Sequence, residues 1–426
     1  MEVGEACDTI ISLTIKSLLN RKVTAILTVL SIALSVSLLI GVERLRTEAK
    51  NSFANTISGT DLIVGARSGP VQLLLFSVFH IGNATNNISW KSYRDIATRP
   101  EIAWTIPISL GDSHRGYRVM GTSSDFFSHF QFGGNLRPEL AKGKVFDELF
   151  DVVLGAEVAE KLGYSLGNKI VLAHGAGKVS FISHDDKPFT VAGILRRTGT
   201  PVDGTLLVSL EAIEAIHIDW REGSPVKGHS LSVERVKQMN LTPKAITSFY
   251  VGLKSRIAVF AVQRVVNQFR EEPLLAILPG VALQELWNLI GVAESGLLIV
   301  SWFVVVVGLS AMLIALLTSL NERRREMAVL RSVGARPLHV FGLVLAESMV
   351  LTIAGVLLGC LLLYSKLIFF RPFILSEFGI LMHIGWFSVH ELRLLGIVCL
   401  AGCLIGLIPG YRSYRYSLAD GMTIRV

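Results

Sequence analysis

The hydrophobic pattern splits the chain into long uncharged runs near its two ends and an alternating, charge-rich stretch between them. Residues 23–42, VTAILTVLSIALSVSLLIGV, carry no charge. At about 1.5 Å per helical residue, such a run crosses a hydrocarbon core of about 30 Å. Segment 281–320 holds a second run, GLLIVSWFVVVVGLSAMLIALLTSL at 296–320, and is expected to begin as a stalk above the membrane. Segments 337–363 and 393–410 supply a third and a fourth, the last short enough that its flanks must snorkel. The first run is longer than the apolar part of a signal peptide and no A-x-A-like site follows it, so it reads as a retained span. Before it, Ile11, Ile15, Leu18 and Leu19 fall at helical spacing with Lys16 and Asn20 on the other side. Residues 1–22 therefore predict an amphipathic helix lying on the membrane surface.

Residues 43–280 change character. Charges of both signs recur, turn pairs such as SG, GN and DG punctuate the stretch, and no apolar run is long enough to span. DLIVGA (61–66), YRVMG (117–121), KIVLA (169–173), FTVAGIL (189–195) and TLLVSL (205–210) read as strands. ISWKSYRDIAT (88–98), GAEVAEKLG (155–163) and SRIAVFAVQRVVNQFREE (255–272) read as helices. The expected fold class is a membrane α-helical protein with four transmembrane helices and an inserted extracytoplasmic α+β domain.

Charge fixes the orientation. The net charge is +7, with 18% charged and 51% hydrophobic residues. The cations gather at span ends: Lys16, Arg21 and Lys22; Arg323, Arg324, Arg325, Arg331 and Arg336 between the second and third spans; Arg412, Arg415 and Arg425 in the tail 411–426. All three groups lie on one side of a four-span chain, which the positive-inside rule makes cytoplasmic. The large domain and the loop 364–392 are then outside. This accounts for the basic balance without nucleic acid.

The segment 321–336 with its following proline, NERRREMAVLRSVGARP, reads either as the positive-inside signal of a tight cytoplasmic loop or as a short docking helix. Asn321 is a candidate cap, Gly334 a stop, and Pro337 fits the first turn of the next helix. Met327, Leu330 and Gly334 share one face, a stripe suited to helix-in-groove docking on a cytoplasmic partner. Glu347 is an intramembrane acid, expected to pair within the bundle. Gly308, Gly355 and Gly359 permit close helix packing.

ERRREMAVLRSVGARPLHVFGLVLAESMVLTIAGVLLG (322–359) resembles the signature of FtsX/MacB-type ABC transporter permeases, E-R-x-x-E-[IM]-[AG]-x-L-[RK]-[AS]-[LIV]-G-A followed by an apolar helix with a Glu and small glycines. Glu322, Arg323, Glu326, Met327, Leu330, Arg331, Gly334, Ala335, Glu347, Gly355 and Gly359 match it. VVLGAEVAEKLGYSLGNKIVLA (152–173) and FTVAGILRRTGTPVDGTLLVSLEAIEAI (189–216) resemble the MacB-like periplasmic core. GKVFD (143–147) resembles the segment before it, with Lys144 where Arg is usual. The resemblance implies that 321–336 is a coupling helix loop seated on a cytoplasmic ABC ATPase. It also implies a second permease copy or paralogue, a periplasmic adaptor or carrier, and an inner membrane with its lipid as surroundings. Its relatives work in efflux, in lipoprotein extraction or in cell-wall hydrolase control, and the size of the outer domain favours the first two. ATP and Mg would be bound by the partner, because no G-x-x-x-x-G-K-[ST] occurs and about 22 residues precede the first span. The rival reading is a non-transport membrane sensor or scaffold with an outer ligand-binding domain.

No catalytic residue and no metal ligand is assigned. No H-E-x-x-H or G-x-S-x-G occurs. His184, Asp185 and Asp186, beside Lys187 and Pro188, read as a solvated hairpin turn. Asp203 and Gly204 read as turn chemistry. Cys399 and Cys403, four apart on an apolar helix, read as small packing residues.

Overall fold

The computed structural model describes residues 14, 16–175, 182–184, 186–221, 224–225, 232–378 and 385–415. These fall into two compact units. A membrane unit takes the described residues up to Glu48, those of Gly291–Pro372 and those from 385 onward; an outer unit takes Ala49–Ile290 and 373–378.

Among the described residues, four helices are long and apolar enough to cross a membrane, with spans Lys22–Asn55, Pro279–Glu322, Pro337–Arg371 and Val389–Arg415. Each reaches beyond the run its hydropathy marks. The first passes position 42 by thirteen residues, because ERLRTEAKNSFAN holds good helix formers and neither Gly nor Pro. The third continues to Phe378, so half of the expected loop 364–392 is helical. The fourth starts at Val389 rather than 393, and Pro409 lies inside it instead of ending it. Prolines inside spans are tolerated where neighbouring groups satisfy the freed carbonyl. Residues 16–20 are helical and Arg21 is a turn, so this helix is distinct from the first span. Ile11 and most of the N-terminal amphipathic segment, like Arg425, lie outside the described residues.

Small residues let the spans meet. The Ser35 hydroxyl donates to the Val304 carbonyl at 3.0 Å, directly over Gly308, where a Cβ would come within 2.6 Å of that hydroxyl. A Cβ at Gly355 would lie 2.6 Å from Ile32, and one at Gly359 2.8 Å from the Ala33 carbonyl. The first span thus packs on the second and third. Thr352 and Ser348 fill the space over Gly402 and Gly406, joining the third to the fourth.

The outer unit is built on one mixed sheet. Its principal strands are β1 (Leu62–Ala66), β2 (Ile102–His114), β3 (Tyr117–Thr122), β4 (Leu140–Gly143), β5 (Asp151–Leu154), β6 (Phe189–Leu195), β7 (Thr205–Ser209), β8 (Ser248–Leu253) and β9 (Leu274–Ile277). They lie in the order β9-β1-β8-β2-β3-β7-β5-β6-β4. β5 with β6 and β3 with β7 are parallel; the other neighbours are antiparallel. Helix Ala156–Leu162 ends at Gly163 in the left-handed region, φ 69°, as the GAEVAEKLG pattern requires. β2, the longest strand, contains Pro107 and Gly111, which disguise it in the sequence. KIVLA forms only two short pieces, Lys169–Ile170 and Ala173–His174. Helix Val259–Asn267 occupies the middle of the amphipathic stretch 255–272, after a short 3-10 turn.

Two expected turns are not solvated. Asp203 is buried in a 3-10 turn, where it accepts from the Thr198 and Gly199 backbone N–H groups at 2.8 Å each. His184 and Lys187 are each 1% exposed, which corrects the reading of SHDDKP as a solvated hairpin. The Lys187 ammonium is buried because Asp219 and Asp186 neutralise it at 2.7 and 3.0 Å.

His80, in the left-handed region at φ 55°, follows helix Pro70–Val78 and shares a hydrogen bond of 3.0 Å with the Thr205 hydroxyl. Burial, and then the Arg118 guanidinium, push its pKa down to about 4 from 6.5. The neutral ring is the folded form. Its contribution is therefore complete above pH 6.5 and is lost as pH falls from 6.5 towards 4, up to about 3 kcal/mol. The His80→Asn variant keeps the left-handed backbone and a hydrogen-bonding side chain but does not titrate. Its thermal midpoint should fall less than that of the wild type between pH 7.5 and 4.5; equal falls would refute this assignment.

Candidate functional site

The second span ends at Glu322, and a single non-helical residue, Arg323 (φ −97°, ψ 11°), separates it from the short helix Arg324–Ser332. Asn321 is not the cap; it lies in the last turn of the span. Arg323 turns inward, 7% exposed. Its Nη1 donates to Glu347 at 2.7 Å and its Nε to Glu326 at 2.7 Å. Glu347 is 3% exposed and also accepts from the Ser17 hydroxyl. Glu322 pairs with Arg21 at 3.2 Å. A buried guanidinium needs such partners, since removing charges from water costs several kcal/mol per ion. The short helix is thereby tied at its start to the third span and to the N-terminal segment.

Its other end is closed by glycine. Gly334 has φ 105°, and the Ala335 N–H donates to the Leu330 carbonyl at 3.0 Å. Pro337 then opens the third span. The apolar stripe is not the face offered outward. Met327 is buried against Val340 and Leu343 of the chain's own third span, with Leu330 packed beside them. Arg331 is half-buried and Gly334 exposed. The outward face instead carries Arg325, Val329 and Val333, one helical turn apart, with Val329 54% and Val333 84% exposed. Periodicity marked a stripe correctly but could not say which surface covers it.

At the far end of the same unit the sequence reading missed a second buried pair. Arg44 donates to both carboxylate oxygens of Glu391, at 2.9 and 3.2 Å, and both side chains are 6% exposed. The Arg44 guanidinium also lies over the rings of Tyr364 and Phe387, at 5.2 and 5.5 Å. Glu391 accepts from the Ser388 N–H at 2.7 Å while the Ser388 hydroxyl accepts from the Glu391 N–H at 3.2 Å. This is a capping box, and its Ser-x-x-Glu spacing was the available signal.

The outer unit also holds a cleft of about 690 Å³ between Trp90, Tyr93, Ser123 and Phe146, with Asp147, Glu211 and Lys237 at its walls.

Two family models match. MacB-like periplasmic core domain covers residues 25–269, more than half of the chain, and FtsX-like permease C-terminal covers residues 298–418. The chain belongs to the FtsX/MacB-type permeases. The second match contains the pinned helix and the third and fourth spans; the first contains the first span and almost all of the sheet. The permease is thus a multi-pass membrane protein with an extracytoplasmic domain, of the kind that forms the permease component of ABC transporters. Among solved structures, it is similar to the periplasmic region of MacB from Actinobacillus actinomycetemcomitans, at 10% identity and TM-score 0.34 over 55% of this chain and 95% of that one. It is also similar to the extracellular domain of the noncanonic ABC-type transporter YknZ from Gram-positive bacteria, at 11% identity and TM-score 0.29 over 51% and 99%. No curated protein matches in sequence.

Proposed function

We propose that this permease passes the ATP-driven motion of a separate cytoplasmic ATPase to its extracytoplasmic domain, for efflux or for extraction of a lipoprotein or other envelope substrate. The observation that carries the reading is the pinned helix Arg324–Ser332. A short helix held at its start by Arg323, Glu326 and Glu347 cannot be pushed without moving the third span. The same helix is joined through one residue to the 44-residue helix Pro279–Glu322, which begins directly after strand β9. That helix is about 66 Å long at the usual rise. ATP and Mg belong to the partner subunit, and a second copy or paralogue of the permease completes the assembly. The membrane is the inner membrane of a bacterium.

The contact face is the Arg325–Val329–Val333 ridge, with Met327 and Leu330 acting by seating the helix. Val333→Asp places an acid on an exposed position and leaves the fold alone. Co-purification with candidate ATPases should succeed for the wild type and fall at least about tenfold for this variant, the equivalent of about 1.4 kcal/mol. If no ATPase binds, or the variant binds equally well, the loop is only a topology signal. Leu330→Asp is the poorer test, because it would loosen the helix itself from Val340 and Leu343.

A further inference from the structure

The outer unit gathers three imidazoles on one buried carboxylate. Asp112, 2% exposed, lies near the end of β2, where the pairing with β3 shifts register between Leu110 and Ser113. Such a bulge re-aims a side chain, and here it brings Asp112 directly opposite His174 of the strand Ala173–His174. His217 comes from the last turn of helix Leu210–His217, and His184 follows the strand Ile182–Ser183.

Three of the separations are those of neighbouring ligands on one ion. His174 Nδ1 is 3.2 Å from Asp112 Oδ1, His217 Nε2 is 3.3 Å from His174 Nδ1, and His217 Nε2 is 3.5 Å from Asp112 Oδ1. Ligands at about 2.0–2.1 Å from a tetrahedral ion are separated by roughly 3.3–3.4 Å. A carboxylate oxygen of Asp112 and one nitrogen each of His184 and His217 also lie within 4.8 Å of one another. The tautomer is arranged for ligation: His217 Nδ1–H donates to the Ile213 carbonyl at 2.9 Å, which turns the Nε2 lone pair towards Asp112. Lys187, the buried cation of the same segment, is already held by Asp186 and Asp219.

We infer that Asp112, His174, His184 and His217 form a binding site for one divalent transition-metal ion of the zinc class in the extracytoplasmic domain. Three imidazoles with one carboxylate suit zinc and its neighbours; magnesium and calcium take oxygen ligands instead. The ligands come from β2, from the strand Ala173–His174, from helix Leu210–His217 and from His184, which directly follows the strand Ile182–Ser183, so an occupied site would tie these elements together.

The test uses the full chain in detergent, purified through a tag without histidine and stripped with a chelator. Zn²⁺ is titrated by calorimetry, the metal per chain is counted by elemental analysis, and Co²⁺ is added as a spectroscopic probe. The expected result is one ion per chain, the intense visible bands of tetrahedral Co²⁺, and a thermal midpoint that rises with metal. His174→Ala, at a ring 44% exposed, and His217→Gln should each weaken Zn²⁺ binding by about a hundredfold or more, while His129→Ala, outside the cluster, changes nothing. Metal-free midpoints of the His174→Ala and wild-type chains should agree, which separates lost ligation from misfolding. Sub-stoichiometric binding by the wild type, purely octahedral Co²⁺ spectra, or equal affinity in both ligand variants would overturn the site.

Discussion

Replacing Glu347 by alanine is expected to lower the stability of the membrane unit by about 3–5 kcal/mol and to abolish coupling to the partner. The reason is asymmetric. Arg323 and Glu347 are both buried and meet at 2.7 Å, so deleting the acid strands a guanidinium out of water. Glu326 still holds Nε, which places the loss towards the lower figure. Glu347→Gln keeps the volume and an acceptor oxygen and should cost less. Replacing both partners, Arg323→Met with Glu347→Leu, should recover most of the stability, since apolar substitutes for a buried pair are often neutral or better. Coupling should stay lost in that double variant, because nothing then fixes the start of helix Arg324–Ser332 to the third span. Denaturant titration in detergent reads the stability, and the stimulated ATPase rate of the reconstituted complex reads the coupling. A Glu347→Ala chain within 1 kcal/mol of the wild type would mean that the pair holds nothing in place.

The spans were legible because an uncharged run of twenty residues has few alternatives. The stop at Gly334 and the restart at Pro337 were legible because both residues act through local backbone geometry. Partnership was not. Met327 and Leu330 repeat at helical spacing whether their cover is an ATPase or the next span, and only packing on Val340 and Leu343 distinguishes the two. Arg323 read as one of five arginines that set topology, yet it alone is buried between two acids. The ligands at Asp112, His174, His184 and His217 are scattered over more than a hundred positions, and β2 was hidden behind Pro107 and Gly111. The neighbours of His184 in sequence are polar, which suggested a wet turn. Its neighbours in space are a buried carboxylate and another imidazole. Ser388 and Glu391, by contrast, carried a readable capping signature that fixes where the fourth helix begins.

Arg44→Met is expected to cost about 3–5 kcal/mol without touching the partner interface. Arg44 holds both oxygens of Glu391 and lies against Tyr364 and Phe387, so its loss leaves a buried carboxylate with only its capping contact. Glu391→Ala should cost a similar amount, because it removes one half of the capping box, the acceptor of the Ser388 N–H, as well as the ion pair. A double-mutant cycle isolates the pair itself, and a coupling energy of about 2 kcal/mol or more is expected for groups this deeply buried. A value below about 0.5 kcal/mol would show that the two are neighbours rather than a tie. The location of this pair makes it the control for Glu347. Arg44 is about 33 Å along the first span from Lys22, at the usual helical rise. If the helix Arg324–Ser332 is the coupling element, Arg44→Met lowers stability and leaves ATPase co-purification unchanged, whereas Glu347→Ala changes both. Equal loss of the partner in the two variants would mean that instability alone, and not the pinned helix, explains the failure to couple.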